Sequence, residues 1–157
     1  DLVYTKFNPD IPRNQLVSKG RDFLKKTFSE KLQYMDGFND IYPILKDKYR
    51  LALVTSTGPE LVNHIDKILM IRKKFDSVII STDTKHHKPK PDPYIKAINN
   101  LNFTPSQCVV VEDSIQGIKA GKSAGCQVIA LEGSIEKKFL KDADYIISHL
   151  SDMHNIL

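Results

Sequence analysis

The sequence predicts an α/β fold, a doubly wound parallel sheet with helices on both faces. Three observations carry that expectation. Short apolar runs, several of them rich in β-branched residues, recur along the chain, among them Leu51-Ala52-Leu53-Val54, Val78-Ile79-Ile80 and Val109-Val110-Val111. These runs are strand-sized and do not alternate with polar residues, as expected of strands buried on both faces. Stretches of helical spacing separate them, and two of the runs close on polar clusters, Thr55-Ser56-Thr57 and Glu112-Asp113.

Each element has its own justification. Residues 14–34 place Leu16, Gly20, Phe23, Leu24, Phe28 and Leu32 close to helical spacing with Lys and Glu between them, which predicts an amphipathic helix. A shorter helix is expected over 39–48, capped by Asn39 or Asp40, with Pro43 in its first turn and Ile41, Ile44 and Leu45 as its buried stripe. The strand at 50–54 follows. Gly58-Pro59-Glu60 then starts a helix with Leu61, Ile65, Ile68 and Leu69 on one face. After a strand at 77–81 comes a basic, proline-rich loop, Lys85-His86-His87-Lys88-Pro89-Lys90-Pro91. Asp92-Pro93 opens a helix carrying Tyr94, Ala97, Ile98 and Leu101 at i, i+3, i+4 and i+7. The strand at 108–111 leads to Ser114, a candidate cap for a helix that stops at Gly125. Strands at 126–131 and 144–148 complete the order.

Composition bounds the function class. With 157 residues, 41% hydrophobic and 27% charged, the chain can bury one core and is neither disordered nor low-complexity. No apolar stretch approaches the roughly 18 residues needed to cross a bilayer, so no membrane span is expected. The net charge of +4 is dispersed, and Lys25-Lys26 and Lys137-Lys138 lack interleaved aromatics, so they read as solvated faces rather than nucleic-acid contacts. Cys108 and Cys126 sit in apolar runs and read as small core thiols, consistent with a cytoplasmic protein. The first residue is Asp1, and a segment ahead of it is expected.

Ligands of such sheets bind beyond the carboxyl ends of the strands. Applied here, that rule gathers the hydroxyls of Thr55, Ser56 and Thr57 with a helix start behind them, the cation Lys88 on a loop stiffened by Pro89 and Pro91, and the adjacent carboxylates Glu112 and Asp113. Each has a plainer reading: a helix cap, a surface charge, an acidic turn. Their order on successive strand ends favours a phosphate site. Two neighbouring carboxylates repel unless a cation relieves them, and oxygen ligands of this type suit Mg²⁺. His86 and His87 lack metal-pair spacing and read as loop residues, while Gly117 and Gly121 read as close helix–sheet packing.

These residues resemble the haloacid dehalogenase superfamily, in its β-phosphoglucomutase and phosphoglycolate phosphatase branch. The segment 51–57 is similar to the family's second motif, 88–94 to its third and 110–125 to its fourth. The resemblance implies a Rossmann-like core, with Thr55 and Lys88 as catalytic residues and Thr55, Ser56 and Lys88 on the phosphate. Asp113 would be a direct Mg²⁺ ligand and Glu112 a direct or water-bridged one. Residues 1–35 resemble the C-terminal part of the family's helical cap and 36–157 its α/β core. The first motif, a strand ending in Asp-x-Asp, is absent; Asp36-Gly37 follows no apolar strand and is not assigned to it.

What the resemblance implies is a Mg²⁺-dependent phosphohydrolase acting on a small phosphorylated metabolite of the phosphosugar type. It would work through an aspartyl-phosphate whose nucleophile lies outside this chain. A phosphomutase and a non-catalytic phosphate-binding member are the alternatives. A receiver-type signalling domain ranks below them, because the acidic pair lies late in the chain with no phosphoacceptor strand after it. The sheet is expected to be completed by a missing N-terminal segment, a partner strand, or Leu2-Val3-Tyr4-Thr5.

Overall fold

The computed structural model describes Lys6 and residues 10–157, so the possibility that residues 2–5 complete the sheet lies outside the described residues. The element order is α1 (Arg13–Lys31), α2 (Phe38–Lys48), β1 (Ala52–Val54), α3 (Pro59–Leu69), α4 (Ile71–Lys74), β2 (Ser77–Ile79), α5 (Asp92–Leu101), β3 (Val109–Glu112), α6 (Ile115–Ser123), β4 (Gln127–Leu131) and β5 (Tyr145–Ile147), with short 3-10 turns at Pro105–Gln107, Lys137–Phe139 and Leu150–Asn155. All strand pairs are parallel. The α/β expectation holds.

The strands fall into two groups, β1-β2 and β3-β4-β5. β4 explains the second group. Val128 and Ala130 point to one face, among Ile118, Ala120, Tyr94 and Ile98 of α6 and α5; Ile129 and Leu131 point to the other, among Ile41 and Met153. A strand buried on both faces must be apolar at every position, hence the unalternating run. β3 differs: Val110 is buried, whereas Val109 and Val111 are 38% and 39% exposed. Their face borders a cavity of about 1260 Å³ that β1 lines from the opposite side, with Leu53, Val54, Ile98 and Leu131 also in its wall. Among the described residues no strand lies between β1 and β3.

Several local expectations shift. α2 starts one residue earlier, and Gly37, not Asn39 or Asp40, precedes it with φ of +77°, a left-handed conformation that a side chain resists. A Cβ at Gly37 would also meet the His149 ring 2.5 Å away. Pro43 is consequently in the second turn. Ile41 is buried but Ile44 is exposed, because the inward face follows Ile41 and Leu45 at i and i+4. In α3 the buried residue is Val62 rather than its predicted neighbours, and Ile68 is exposed.

No residue of α1 is buried, and Phe23 is 69% exposed, so the predicted stripe lacks a cover among the described residues. The helix instead rests on α3 through polar contacts: Lys25 and Arg21 pair with Glu60, and Ser29 Oγ lies 3.1 Å from His64 Nε2. No described helix is long and apolar enough to cross a membrane.

At the amino edge of β1 and β2, Asp76 ties three elements. Its carboxylate accepts from Lys46 Nζ of α2 (2.7 Å), the Leu51 backbone N–H (2.8 Å) and Arg50 Nη1 (3.2 Å). The Lys46 hydrogen bond, then the Leu51 one, hold its pKa down at about 2. A depressed folded pKa contributes stability above the unfolded value and loses it as pH falls. We expect Asp76→Asn to cost about 1–2 kcal/mol in urea unfolding at neutral pH. The gap should narrow as pH drops from about 4 toward 2.

Candidate active site

Of the residues expected at the site, Thr55, Ser56, Lys88, Glu112 and Asp113 line one cavity between β1 and β3, whereas Thr57 is not part of its wall. The carboxyl ends of the strands bring them there, as parallel sheets do. Thr55 leaves β1 with its N–H on Ile79 O, and its Oγ1 donates to Thr57 Oγ1 (2.9 Å) and accepts from the Thr57 N–H (3.1 Å). α3 begins just beyond, at Gly58-Pro59.

Lys88 bridges the two strand groups. Its ammonium donates to Val54 O of β1 at 3.0 Å and to Glu112 Oε1 of β3, with only 12% and 8% of the two charged side chains exposed. The ammonium also lies 4.9 Å from the centre of the Tyr94 ring. The Lys88–Pro89 peptide is cis.

Glu112 is held from every side. Oε1 accepts from Lys88 and from the Tyr94 hydroxyl, and Oε2 from Ser114 Oγ (2.9 Å) and the Asp113 N–H (3.2 Å). Burial works to raise its pKa, but the Lys88 charge and the hydrogen bonds from Lys88, Tyr94 and Ser114 outweigh it and leave the carboxyl below its ordinary value. Burial first, and then the Glu112 charge, push the Tyr94 hydroxyl far up, so it stays a donor. Ser114 serves twice, because its Oγ also caps α6 by accepting from the Gly117 N–H (3.0 Å).

The Asp113 backbone joins this network, but its carboxylate does not and accepts from Ser134 Oγ at 2.5 Å. No group of three or more metal-ligating side chains exists among the described residues. A single carboxylate with no cation beside it among the described residues still fits Mg²⁺, which is bound through one or two carboxylates with waters and phosphate oxygens completing its shell. His86 pairs with Asp92 at 2.8 Å. The Cys126 thiol is pushed up to about 11, chiefly by burial, which suits a core residue.

Sequence reasoning missed Tyr94, which looked like one more apolar position of α5, and the role of Gly117. Gly121 fits the packing expectation, since a Cβ there would meet Val128 and Val110. At Gly117 a Cβ would lie 1.9–2.1 Å from the Glu112 carboxyl, so this glycine makes room for the carboxylate.

The haloacid dehalogenase-like hydrolase model matches residues 3–131. The chain belongs to that family. Its relatives include the pyrophosphatase PpaX of Bacillus velezensis, 29% identical over 91% of this chain and 68% of that protein. Glycerol-1-phosphate phosphohydrolase 1 of Saccharomyces cerevisiae is 30% identical over 87% of this chain and 58% of its own length. A phosphorylated carbohydrates phosphatase of Thermotoga maritima is 36% identical over 67% and 49%. The chain thus spans 49% to 68% of the length of these curated relatives. Among solved structures, a candidate β-phosphoglucomutase from Thermotoga maritima superposes with a TM-score of 0.83 at 26% identity, covering 99% of this chain and 74% of that one.

The fit at Gly117 generates a test. Gly117→Ala should dislodge the Glu112 carboxylate from its partners and lower stability by about 3 kcal/mol in denaturant unfolding, as breaking a buried pair does. Adding Glu112→Ala should then cost little more, because the two substitutions disrupt one network.

Proposed function

We propose that this chain carries the phosphate clamp of a Mg²⁺-dependent phosphohydrolase acting on a small phosphorylated metabolite of the phosphosugar type in the cytoplasm. The observation that carries the reading is the Lys88 ammonium, fixed between Val54 O and Glu112 in the wall of the cavity. A lysine has three N–H donors. Two are used by the protein, and the third is left for an anion in the cavity. Thr55 and Ser56, beside the start of α3, would supply a hydroxyl and backbone donors for the same phosphoryl oxygens.

Because Lys88 and Glu112 neutralise each other, the uncompensated charge of the acidic pair is that of Asp113. Asp113 is therefore the proposed direct ligand of Mg²⁺, and Glu112 orients Lys88 and meets the ion only through water. The ion, when bound, would offset negative charge on the phosphoryl oxygens. The chain's own residues hold those oxygens in line for attack and keep Lys88 aimed by burying its counter-ion.

The nucleophile of the proposed aspartyl-phosphate lies outside the described residues. The space between β1 and β3 supports a missing N-terminal or partner strand there, parallel to both, whose final carboxylate would face Lys88. Buried strand edges need such pairing. Residues 1–35 are proposed as the tail of a helical cap and 36–157 as the core, and the uncovered stripe around Phe23 supports further cap residues over α1. The candidate β-phosphoglucomutase neighbour favours a phosphomutase as the second reading.

The test is a phosphosugar panel assayed with Mg²⁺ on the natural full-length polypeptide. Release of inorganic phosphate supports a hydrolase; an isomeric phosphosugar with no phosphate released supports a mutase. Lys88→Met should lower kcat/KM by about 100- to 1000-fold. Asp113→Asn should abolish Mg²⁺-dependent turnover with its melting temperature retained. Wild-type turnover in both variants would overturn the reading.

A further inference from the structure

The loop after β4 reaches back to the end of β3. The Glu132 N–H donates to Ile147 O (2.9 Å) and so extends the β4–β5 ladder by one step. The Glu132 carboxylate accepts from Ser148 Oγ (2.9 Å) and lies 3.0 Å from Lys137 Nζ, which anchors both sides of the loop. Gly133 then takes a φ of +136°, a conformation that other residues rarely adopt, and the chain turns so that Ser134 Oγ meets Asp113 Oδ2 at 2.5 Å.

We propose that Ser134 is a positioning residue for a divalent cation at Asp113; this rests on the reading of Asp113 as the direct ligand. The hydroxyl donates to one oxygen of a carboxylate in the cavity wall and so fixes its rotation. A hydrogen bond to a ligating carboxylate fixes its orientation and tunes its hold on the metal. Glu112 needs no such help, because Lys88, Tyr94 and Ser114 already fix it. Ser134 is itself exposed, so water can satisfy its hydroxyl when the bond is broken, and the fold gains little from it. The consequence of losing the bond falls on Asp113. Nothing in the apolar pattern around Ser134 marks it; its partner lies 21 residues away.

The test titrates Mn²⁺ alone into the natural full-length polypeptide, with bound metal followed by electron paramagnetic resonance and thermal unfolding measured alongside. Asp113→Asn should abolish binding. Ser134→Ala should raise the Kd about 10-fold with an unchanged melting temperature, and Ser134→Thr, which keeps the hydroxyl, should bind close to wild type. Gly133→Val, which displaces Ser134 through the backbone, should weaken binding like Ser134→Ala. Wild-type affinity in Ser134→Ala with none in Asp113→Asn would overturn the role of Ser134 and leave the reading of Asp113 intact. Wild-type affinity in Asp113→Asn would overturn both. A fall in melting temperature for Ser134→Ala with unchanged affinity would mark the bond as structural only and also overturn the inference.

Discussion

The buried ion pair between Lys88 and Glu112 is the contact on which the arrangement of this protein turns. Burying two charges costs several kcal/mol each, and their attraction offsets that only where further hydrogen bonds complete the geometry. Here they do: Val54 O takes a second N–H of the ammonium, and Tyr94 and Ser114 take up the carboxylate. The network joins β1, the loop after β2, α5, β3 and the cap of α6. It also fixes a cation beside the hydroxyls that end β1. The pair therefore links a stability requirement to the proposed phosphate clamp, since whatever holds Glu112 also aims Lys88.

The same pair spans the break in the sheet. Strands buried on both faces, such as β4, draw their stability from apolar contacts above and below and from ladder hydrogen bonds on each side. Among the described residues β1 and β3 have the first in part and the second on one edge, and Val109 and Val111 border the cavity between them. α5 crosses this region with Tyr94 and Ile98 packed into the β3–β4 core, and Lys88 just ahead of it reaches Val54. In the proposed reaction the occupant of that cavity brings the nucleophile, so completion of the fold and completion of the chemistry would be one event.

Much of this was legible from residue order. The apolar runs gave the strands because unalternating β-branched segments suit a two-sided core, and Ser114 was readable as a cap from its place before an apolar helix. The strand-end cluster of Thr55, Lys88, Glu112 and Asp113 followed from the rule for parallel sheets. What escaped was set by tertiary distance. Glu112 finds Lys88 across 24 residues and Tyr94 across 18, and no local period records either pairing. Helix phase was misjudged by one position in α3, where Val62 rather than Leu61 turns inward, since a row of apolar residues leaves the phase open. The need for glycine at position 37 comes from its left-handed backbone and from the His149 ring that a Cβ would meet, and both are features of the folded chain alone.

A crystal structure of the natural full-length polypeptide with inorganic phosphate and Mg²⁺ tests the central claim most directly. The account expects one additional strand, parallel to β1 and β3 and lying between them, with phosphate within hydrogen-bond distance of Lys88 Nζ and Thr55 Oγ1 and the Lys88–Glu112 pair intact. Direct pairing of β1 with β3, or phosphate bound away from Lys88, would contradict it.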